Sequence, residues 1–247
     1  MIISHFSFAP NGNYVDICKR ELEKLIINIQ SRFKDINVLP YNINVDYLFH
    51  RQNALGNPMG DTIGYFINST LPWQANRIDD LAKIFPNITT FNKYIIVLSR
   101  YLADSRSDIE KCFTIAHEIH HLVQQLLSIE NSIKCIILFQ YFLLNHDERT
   151  AFKLPHDLDA IRRAKGVNYQ LFGKDDVDLF INQQIDNNRD YLIYWKIVRD
   201  IDPTYDFVKE TELLWREYKN NIYSLISSES QIKEILDYCE RNNIKLK

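Results

Sequence analysis

The chain has 247 residues, of which 46% are hydrophobic and 25% are charged, and its formal net charge is −3. These fractions exclude disorder across the whole chain, and the balance of charge shows no electrostatic footprint of nucleic-acid binding, so we expect no nucleic-acid partner. The chain contains only six glycines, which disfavours a glycine-rich nucleotide loop or a turn-dense β-sandwich and favours long helices.

The first 100 residues are predicted to form one helix and then a small strand region. Asn13 is a suitable N-cap for a helix that runs to about Phe33, because its apolar residues recur with helical spacing. β-Branched and aromatic runs at residues 63–67 and 94–98 predict two strands. Between them, residues 78–85 predict a short helix that ends before a proline.

A long apolar helix is predicted in the middle of the chain. Ser107 and Glu110 match a capping box, so the helix should begin there and continue to about Ser128. Apolar residues cover most of its circumference, which predicts a central, buried position. A second apolar helix is expected at residues 132–144. A third is expected at residues 155–166, where the final glycine is a natural residue to end a helix.

The chain from about residue 175 to 247 is predicted to contain three or four amphipathic helices. The order is therefore a helix, a small strand region and then helices, with no alternation of strand and helix and no internal repeat. We predict an α+β fold that is predominantly helical, in a single domain over residues 1–247.

The sequence carries no feature of secretion or membrane insertion. Residues 1–6 lack the basic region, the apolar region and the cleavage site of a signal peptide. The longest nearly apolar run, residues 135–144, is far shorter than the roughly 20 residues of a membrane helix. The four cysteines are scattered, without a Cys-x-x-Cys pair, as expected of free thiols in a reducing compartment. We expect a cytoplasmic protein with no membrane partner.

The predicted central helix contains the pattern H-E-x-x-H, from His117 to His121. Residues four apart lie on the same face of a helix, so both imidazoles can point to one zinc ion. Glu118 lies about 100° around the helix from His117, beside the metal rather than on it. From there its carboxylate can take a proton from a zinc-bound water and pass it to a leaving amine. We predict His117 and His121 as zinc ligands and Glu118 as the catalytic base.

Residues 114–124, TIAHEIHHLVQ, resemble the H-E-x-x-H-x-x-Q helix of gluzincin-like metallopeptidases, which belong to the zincins. In those proteins a third ligand comes from a following helix, and one recurring form is P-x-E-x-[DE]-A. Residues 155–160, PHDLDA, have the same frame with aspartate in place of glutamate, so the resemblance implies Asp157 as the third zinc ligand. It also implies a zincin-like core over about residues 61–166, with an active-site helix and a small antiparallel sheet whose edge strand lines the cleft. A helical part follows over about residues 167–247.

Two other acids are alternatives to Asp157 as the third ligand. Asp157 itself also suits the first turn of a helix, and its side chain is shorter than the usual glutamate. Glu148 lies in DERTAF, which is similar to the E-x-x-A-x-F frame of regulator-cleaving peptidases from mobile elements, although it also fits a capping box. Asp159 is either the third ligand or an acid that orients a histidine.

Other polar residues near the motif have less defined roles. His120 flanks the face of His121, where it could bond to the site or to a backbone group. His156 precedes Asp157 and faces either the cleft or solvent. Gln124, one turn beyond His121, is expected to pack against the third-ligand helix. Catalysis also needs a hydrogen-bond donor for a developing oxyanion. In metallopeptidases of the kind this motif resembles, the donor is often Tyr, His or Arg. The sequence does not choose among its 14 tyrosines, which include Tyr169, Tyr191 and Tyr194 downstream.

These observations predict a cytoplasmic zinc metallopeptidase that hydrolyses a protein or peptide substrate. The substrate is expected to bind as an extended strand along the edge formed by residues 94–98. Two alternatives remain open: a zinc-stabilised binding or regulatory module that has lost catalysis, and a peptidase with a single target, such as a toxin or phage-exclusion protein. The intact Glu118 argues against the inactive module. Nothing in the sequence indicates the oligomeric state.

Overall fold

The structure, a computed structural model, describes residues 1–10, 15–50, 64–86, 91–99, 107–147, 152–187, 191–225 and 229–246. Within these ranges a small sheet is accompanied by many helices, which confirms the helix-dominated α+β class. The strands are β1 (Ile2–Phe8), β2 (Ile43–His50), β3 (Gly64–Asn68) and β4 (Tyr94–Ser99). The helices are α1 (Asp16–Gln30), α2 (Lys34–Asn37), α3 (Ala75–Ile84), α4 (Asp108–Leu127), α5 (Ile129–Leu144), α6 (Pro155–Phe172), α7 (Lys174–Asn187), α8 (Leu192–Asp200), α9 (Phe207–Ser224) and α10 (Ser230–Arg241).

The sheet is mixed, with the strand order β1-β2-β4-β3. β1 pairs with β2 and β2 pairs with β4 in parallel, and only β3 runs antiparallel to its neighbour β4. The expected antiparallel sheet is therefore wrong except for the β3–β4 pair, and the sequence analysis did not predict β1 or β2. β2 is buried along most of its length. Its buried acid, Asp46, is accommodated because it accepts hydrogen bonds from the backbone N–H and the side-chain amide of Asn92.

Strand β4 lies inside the sheet. β2 pairs with one of its sides and β3 with the other. The expectation that a substrate strand adds along residues 94–98 is therefore wrong, because no hydrogen-bonding edge is free there. Among the described residues, β3 is the edge strand on this side of the sheet.

Helix α4 is the central element of the largest hydrophobic core. This core lies between one face of the sheet and helices α1, α4, α6, α7 and α8. The hydroxyl of Ser107 accepts a hydrogen bond from the N–H of Glu110 at the start of α4, as the capping box predicts. Helix α3 covers the other face of the sheet in a smaller core. Helices α5, α9 and α10 surround a separate cluster that includes the fully buried Trp215.

Most predicted helix boundaries hold within a few residues, with one exception. Helix α6 does not end at Gly166; it continues to Gly173, whose φ of 86° favours glycine. Ala164 and Val167 beside Gly166 are buried, so packing keeps this glycine helical. The last part of the chain forms four helices, α7 to α10, where three or four were predicted. Asn13, the predicted cap of α1, lies outside the described residues.

Over the described part of the chain, no single helix is long and apolar enough to cross a membrane. Helices α4 and α5 reach the required length and hydropathy only as a pair, and the chain bends by 119° between them.

Candidate metal centre

Helix α4 carries polar side chains into the protein where it packs against α6. His117 and Glu118 are buried, and His121 is largely buried. Because the two histidines are four residues apart, they lie one turn apart on the same helix face, with ring centroids separated by 4.7 Å. Asp157, in the first turn of α6, lies opposite them with its side chain 17% exposed. The structure thus brings together His117, His121 and Asp157, which we call the ligand cluster.

The three facing atoms of the ligand cluster form a triangle with one short and two longer, almost equal sides. Nε2 of His117 lies 3.1 Å from Nε2 of His121, and Oδ1 of Asp157 lies 3.8 and 3.7 Å from these two nitrogen atoms. The nitrogen–oxygen distances are too long for hydrogen bonds. The centre of the triangle is about 2.1 Å from all three atoms, which matches the bond lengths of imidazole nitrogen and carboxylate oxygen to zinc. These residues could hold a metal ion.

The protonation of His121 suits a metal ligand. Its Nδ1 donates a hydrogen bond to Oε1 of Gln124 at 2.9 Å, so Nε2 keeps its lone pair toward the ligand cluster. Burial first, and the charge of His117 second, lower the pKa of His121 to about 3. A neutral imidazole is the form that binds a metal ion.

The remaining members of the ligand cluster attract positive charge. Burial opposes the ionisation of Asp157, but the surrounding histidines outweigh it and hold the pKa of this carboxyl below its usual range. Burial likewise acts to lower the pKa of His117, but the negative charges of Asp157 and Glu118 outweigh it and raise that pKa. A divalent cation at the centre of the triangle would satisfy the same demand for positive charge.

Glu118 lies beside the ligand cluster and contributes none of its three facing atoms. Burial, the largest influence, raises the pKa of its carboxyl to about 7, although His117 and the backbone of Phe66 in β3 act to lower it. Strand β3 comes very close to α4 at Gly64, where a Cβ atom would lie 3.0 Å from Cγ2 of Thr114 and 3.2 Å from Cγ of Glu118. A carboxyl group with a pKa near neutrality can both accept and release a proton in this position.

The structure places the two rivals of Asp157 differently. Oδ2 of Asp159 lies 2.6 Å from Nε2 of His120, and Oδ1 accepts hydrogen bonds from the guanidinium of Arg162. Burial opposes its ionisation, but these partners hold the pKa of Asp159 below its usual range. Asp159 therefore orients a histidine, as one alternative proposed, although that histidine is outside the ligand cluster. Glu148 lies outside the described residues.

Two neighbours of the ligand cluster, Gln124 and His156, contact its residues or the helix that carries Asp157. Gln124 donates from Nε2 to the backbone carbonyl of His156 at 2.9 Å, so it does contact the third-ligand helix as expected. The imidazole of His156 lies with its centroid 5.5 Å from that of His121, and its Nε2 is 3.6 Å from Oδ2 of Asp157. The adjacency of His156 to Asp157 was the only sequence signal for this position.

Tyr194, one of the tyrosines named above, is electrostatically coupled to the site. Burial first, and the negative charges of Glu118 and Asp157 next, raise the pKa of Tyr194. Tyr169 instead donates its hydroxyl to Asp178 on helix α7, at 2.6 Å. Of these two tyrosines, Tyr194 is therefore the one whose phenol responds to the charges of Asp157 and Glu118.

Comparison of the chain with protein-family models, with curated proteins and with solved structures found no match. The resemblance to gluzincins therefore rests on the motif residues, and the chemistry of the site rests on its geometry.

Proposed function

We propose that the chain is a zinc-dependent peptidase whose zinc ligands are His117, His121 and Asp157. The observation that carries the proposal is the triangle of facing atoms, whose centre lies at zinc-bonding distance from all three. Two imidazole nitrogens and one carboxylate oxygen are a donor set of catalytic zinc sites, which keep a further position for water or substrate. Glu118 supplies the proton-transfer group that hydrolysis needs in addition.

Each group has a separate task in this proposal. A bound zinc ion supplies a Lewis acid for the substrate carbonyl and makes water nucleophilic near neutral pH. Glu118 accepts a proton from the attacking water and delivers it to the amine nitrogen as the C–N bond breaks, so one carboxylate acts first as base and then as acid. Its pKa of about 7 favours both transfers at neutral pH.

Strand β3 is the surface along which we propose that an extended peptide binds. Its pairing partner among the described residues is β4, on one side only. At Gly64 the backbone of the strand comes close to Glu118, and the backbone of Phe66 influences the pKa of that carboxyl. A peptide that adds to this edge would pass the carboxylate that transfers the proton.

Tyr194 is the group that we assign to the developing oxyanion. Its phenol lies within the electrostatic influence of Glu118 and Asp157, and burial keeps it protonated at neutral pH. A protonated hydroxyl can donate a hydrogen bond to negative charge that forms on the carbonyl oxygen.

The test compares wild-type protein with Glu118→Gln, because this substitution removes the proton-transfer group and leaves all three ligand atoms in place. Both proteins are expressed in the same cells, and newly formed protein N-termini are identified by mass spectrometry. Both purified proteins should contain one zinc per chain, whereas new termini should appear only with the wild type. A chelator added to lysate before incubation should also prevent their formation.

The outcomes separate the competing functions. If the same new N-termini appeared in the wild-type and Glu118→Gln samples, the peptidase proposal would be overturned. The zinc-stabilised binding module would then remain. New termini on one protein would indicate the single-target peptidase, and termini on many proteins a broader one. Wild-type protein without stoichiometric zinc would contradict the metal site itself.

A further inference from the structure

Gln124 uses both ends of its side-chain amide within the protein. Its Oε1 accepts a hydrogen bond from Nδ1 of His121 at 2.9 Å. Its Nε2 donates to the backbone carbonyl of His156 at 2.9 Å and to Oδ2 of Asp159 at 3.1 Å. Gln124 is only 5% exposed, so water does not readily replace these partners. One amide therefore connects α4 to the first turn of α6.

The bond to His121 determines which ring nitrogen carries the proton. An amide oxygen can only accept, so Nδ1 of His121 must be protonated to make this bond. The proton on Nδ1 leaves Nε2 with a free lone pair, and Nε2 is the atom that faces the ligand cluster.

The bonds of the amide nitrogen fix the position of the second helix. His156 immediately precedes Asp157, so a hydrogen bond to its carbonyl holds the backbone that carries the third ligand. Asp159, two residues further along, is held by the same nitrogen and is also bonded to His120 of α4. The distance between Asp157 and the two histidines of the ligand cluster therefore depends on Gln124.

We infer that Gln124 is the positioning residue of the metal site, which sets the tautomer of His121 and holds Asp157 at bonding distance. The inference rests on the proposed function only in that the ligand cluster binds zinc; it does not require that the protein cleaves peptides. Partners of metal ligands that act in this way typically contribute about 10- to 100-fold to metal affinity.

The first experiment needs no variant. The nitrogen-15 chemical shifts of the histidine rings in metal-free wild-type protein report which nitrogen of each ring carries the proton. We expect His121 to be protonated on Nδ1. Protonation on Nε2 would overturn the inference, whatever the protein proves to catalyse.

The second experiment uses Gln124→Met, which keeps the length of the side chain and removes its hydrogen bonds. The zinc dissociation constant, measured by competition with a chromophoric chelator, should rise about 10- to 100-fold. In the metal-free variant, His121 should populate the Nε2-protonated form. A dissociation constant within threefold of wild type, or an unchanged tautomer, would overturn the inference.

A conservative variant separates positioning from simple packing. A glutamate side chain at this position can still accept a hydrogen bond from Nδ1 of His121, but its negative charge lies beside the carboxylate of Asp159. Gln124→Glu should therefore restore the His121 tautomer and bind zinc more tightly than Gln124→Met, yet unfold at a lower temperature than Gln124→Met. If Gln124 contributed only to packing, the variant that binds zinc more tightly and keeps the His121 tautomer would also be the variant that unfolds at the higher temperature.

Gln125 provides the matched control on the same helix. Its Oε1 accepts a hydrogen bond from Nδ2 of Asn68 at 2.9 Å, and it makes no bond to the ligand cluster or to α6 that the structure describes. Gln125→Met should leave both the zinc dissociation constant and the tautomer of His121 at their wild-type values. Equal losses in the Gln124 and Gln125 variants would indicate a general loosening of α4 and overturn the inference.

Discussion

Two buried polar clusters in this protein differ in whether their own residues complete them. The lysine cluster consists of Lys134, Glu130 and Glu212, and it joins α5 to α9. The fully buried Nζ of Lys134 lies 3.0 Å from Oε1 of Glu130 and 2.5 Å from Oε1 of Glu212. Its positive charge is thus matched by carboxylates within hydrogen-bonding distance, as a structural ion pair requires.

The ligand cluster lacks such a match. Nε2 of His117 and Nε2 of His121 lie 3.1 Å apart, within hydrogen-bonding distance, but both of their contacts with Asp157 exceed a hydrogen bond. Nδ1 of His117 is also buried without a hydrogen-bond partner among the described residues. Burying polar atoms in this way costs free energy unless something compensates them. We therefore base the proposed metal site on an incomplete cluster rather than on a buried charge as such.

The largest expected effect is the fall in zinc affinity when one residue of the ligand cluster is removed. Asp157→Ala leaves two imidazoles without their negatively charged partner, so zinc affinity should fall by more than the roughly 100-fold that outer partners contribute. Asp159→Asn should weaken zinc binding by about 10- to 100-fold, because Asp159 only supports His120 and Gln124. Chelator competition with the purified proteins measures both constants.

Glu148, the remaining alternative to Asp157 as the third zinc ligand, serves as the control for this experiment. Glu148→Gln should leave the zinc dissociation constant unchanged if Asp157 completes the cluster. A larger loss in Glu148→Gln than in Asp157→Ala would assign the third ligand to Glu148 instead.

A second, smaller effect concerns the catalytic rate and leaves zinc binding unchanged. Tyr194→Phe removes only the phenolic hydroxyl, so kcat should fall by about 100-fold while KM and zinc content stay constant. Steady-state kinetics on an identified substrate measures the two parameters separately. Tyr169→Phe is the control, because its hydroxyl is engaged by Asp178; equal losses of kcat in both variants would contradict the role of Tyr194.

The lysine cluster should show the opposite behaviour. Lys134→Met leaves Glu130 and Glu212 without their cation, so the free energy of unfolding should fall by about 1–3 kcal/mol, less than for a fully enclosed pair because both carboxylates are partly exposed. Zinc content should not change. Urea titration with Lys83→Met as control checks this, since the exposed Lys83–Asp80 pair is screened by solvent and should contribute little to stability. Zinc loss in Lys134→Met would erase the distinction between the clusters.

Local patterns predicted the part of the site that lies on one helix. The spacing of His117 and His121 and the cap at Ser107 depend only on neighbouring residues, and they appear as expected. The placement of Asp157 opposite them depended on a resemblance, because spacing alone does not bring two helices together. The contact of Gln124 with the second helix was expected, whereas its bond to His121 and the position of His156 beside the cluster had weaker signals in the sequence.

The sheet was harder to predict for a related reason. β1 and β2 pair in parallel, and parallel neighbours are joined by long connections rather than by a turn that the sequence reveals. Asp46 interrupts the apolar run of β2, and only its contact with the distant Asn92 explains it. At Gly166, burial of the neighbouring residues overrides the tendency of glycine to end a helix.

The smallest effect compares two glycines that differ in what surrounds them. Gly64→Ala would place a Cβ atom 3.0–3.2 Å from side chains of α4 and β4, so β3 or these side chains, Glu118 among them, must shift by a few tenths of an ångström. We expect a loss of about 1 kcal/mol in stability and a several-fold fall in kcat with zinc content unchanged. Gly166→Ala adds the same atom inside α6 with no neighbour within 4 Å, so it should stabilise the protein by up to about 1 kcal/mol through helix propensity. Compared with wild type, Gly64→Ala should therefore unfold at a lower temperature and Gly166→Ala at a higher temperature. Steady-state kinetics should show a loss of activity only in Gly64→Ala. If Gly64→Ala kept full activity, the close approach of β3 to Glu118 would have no part in catalysis.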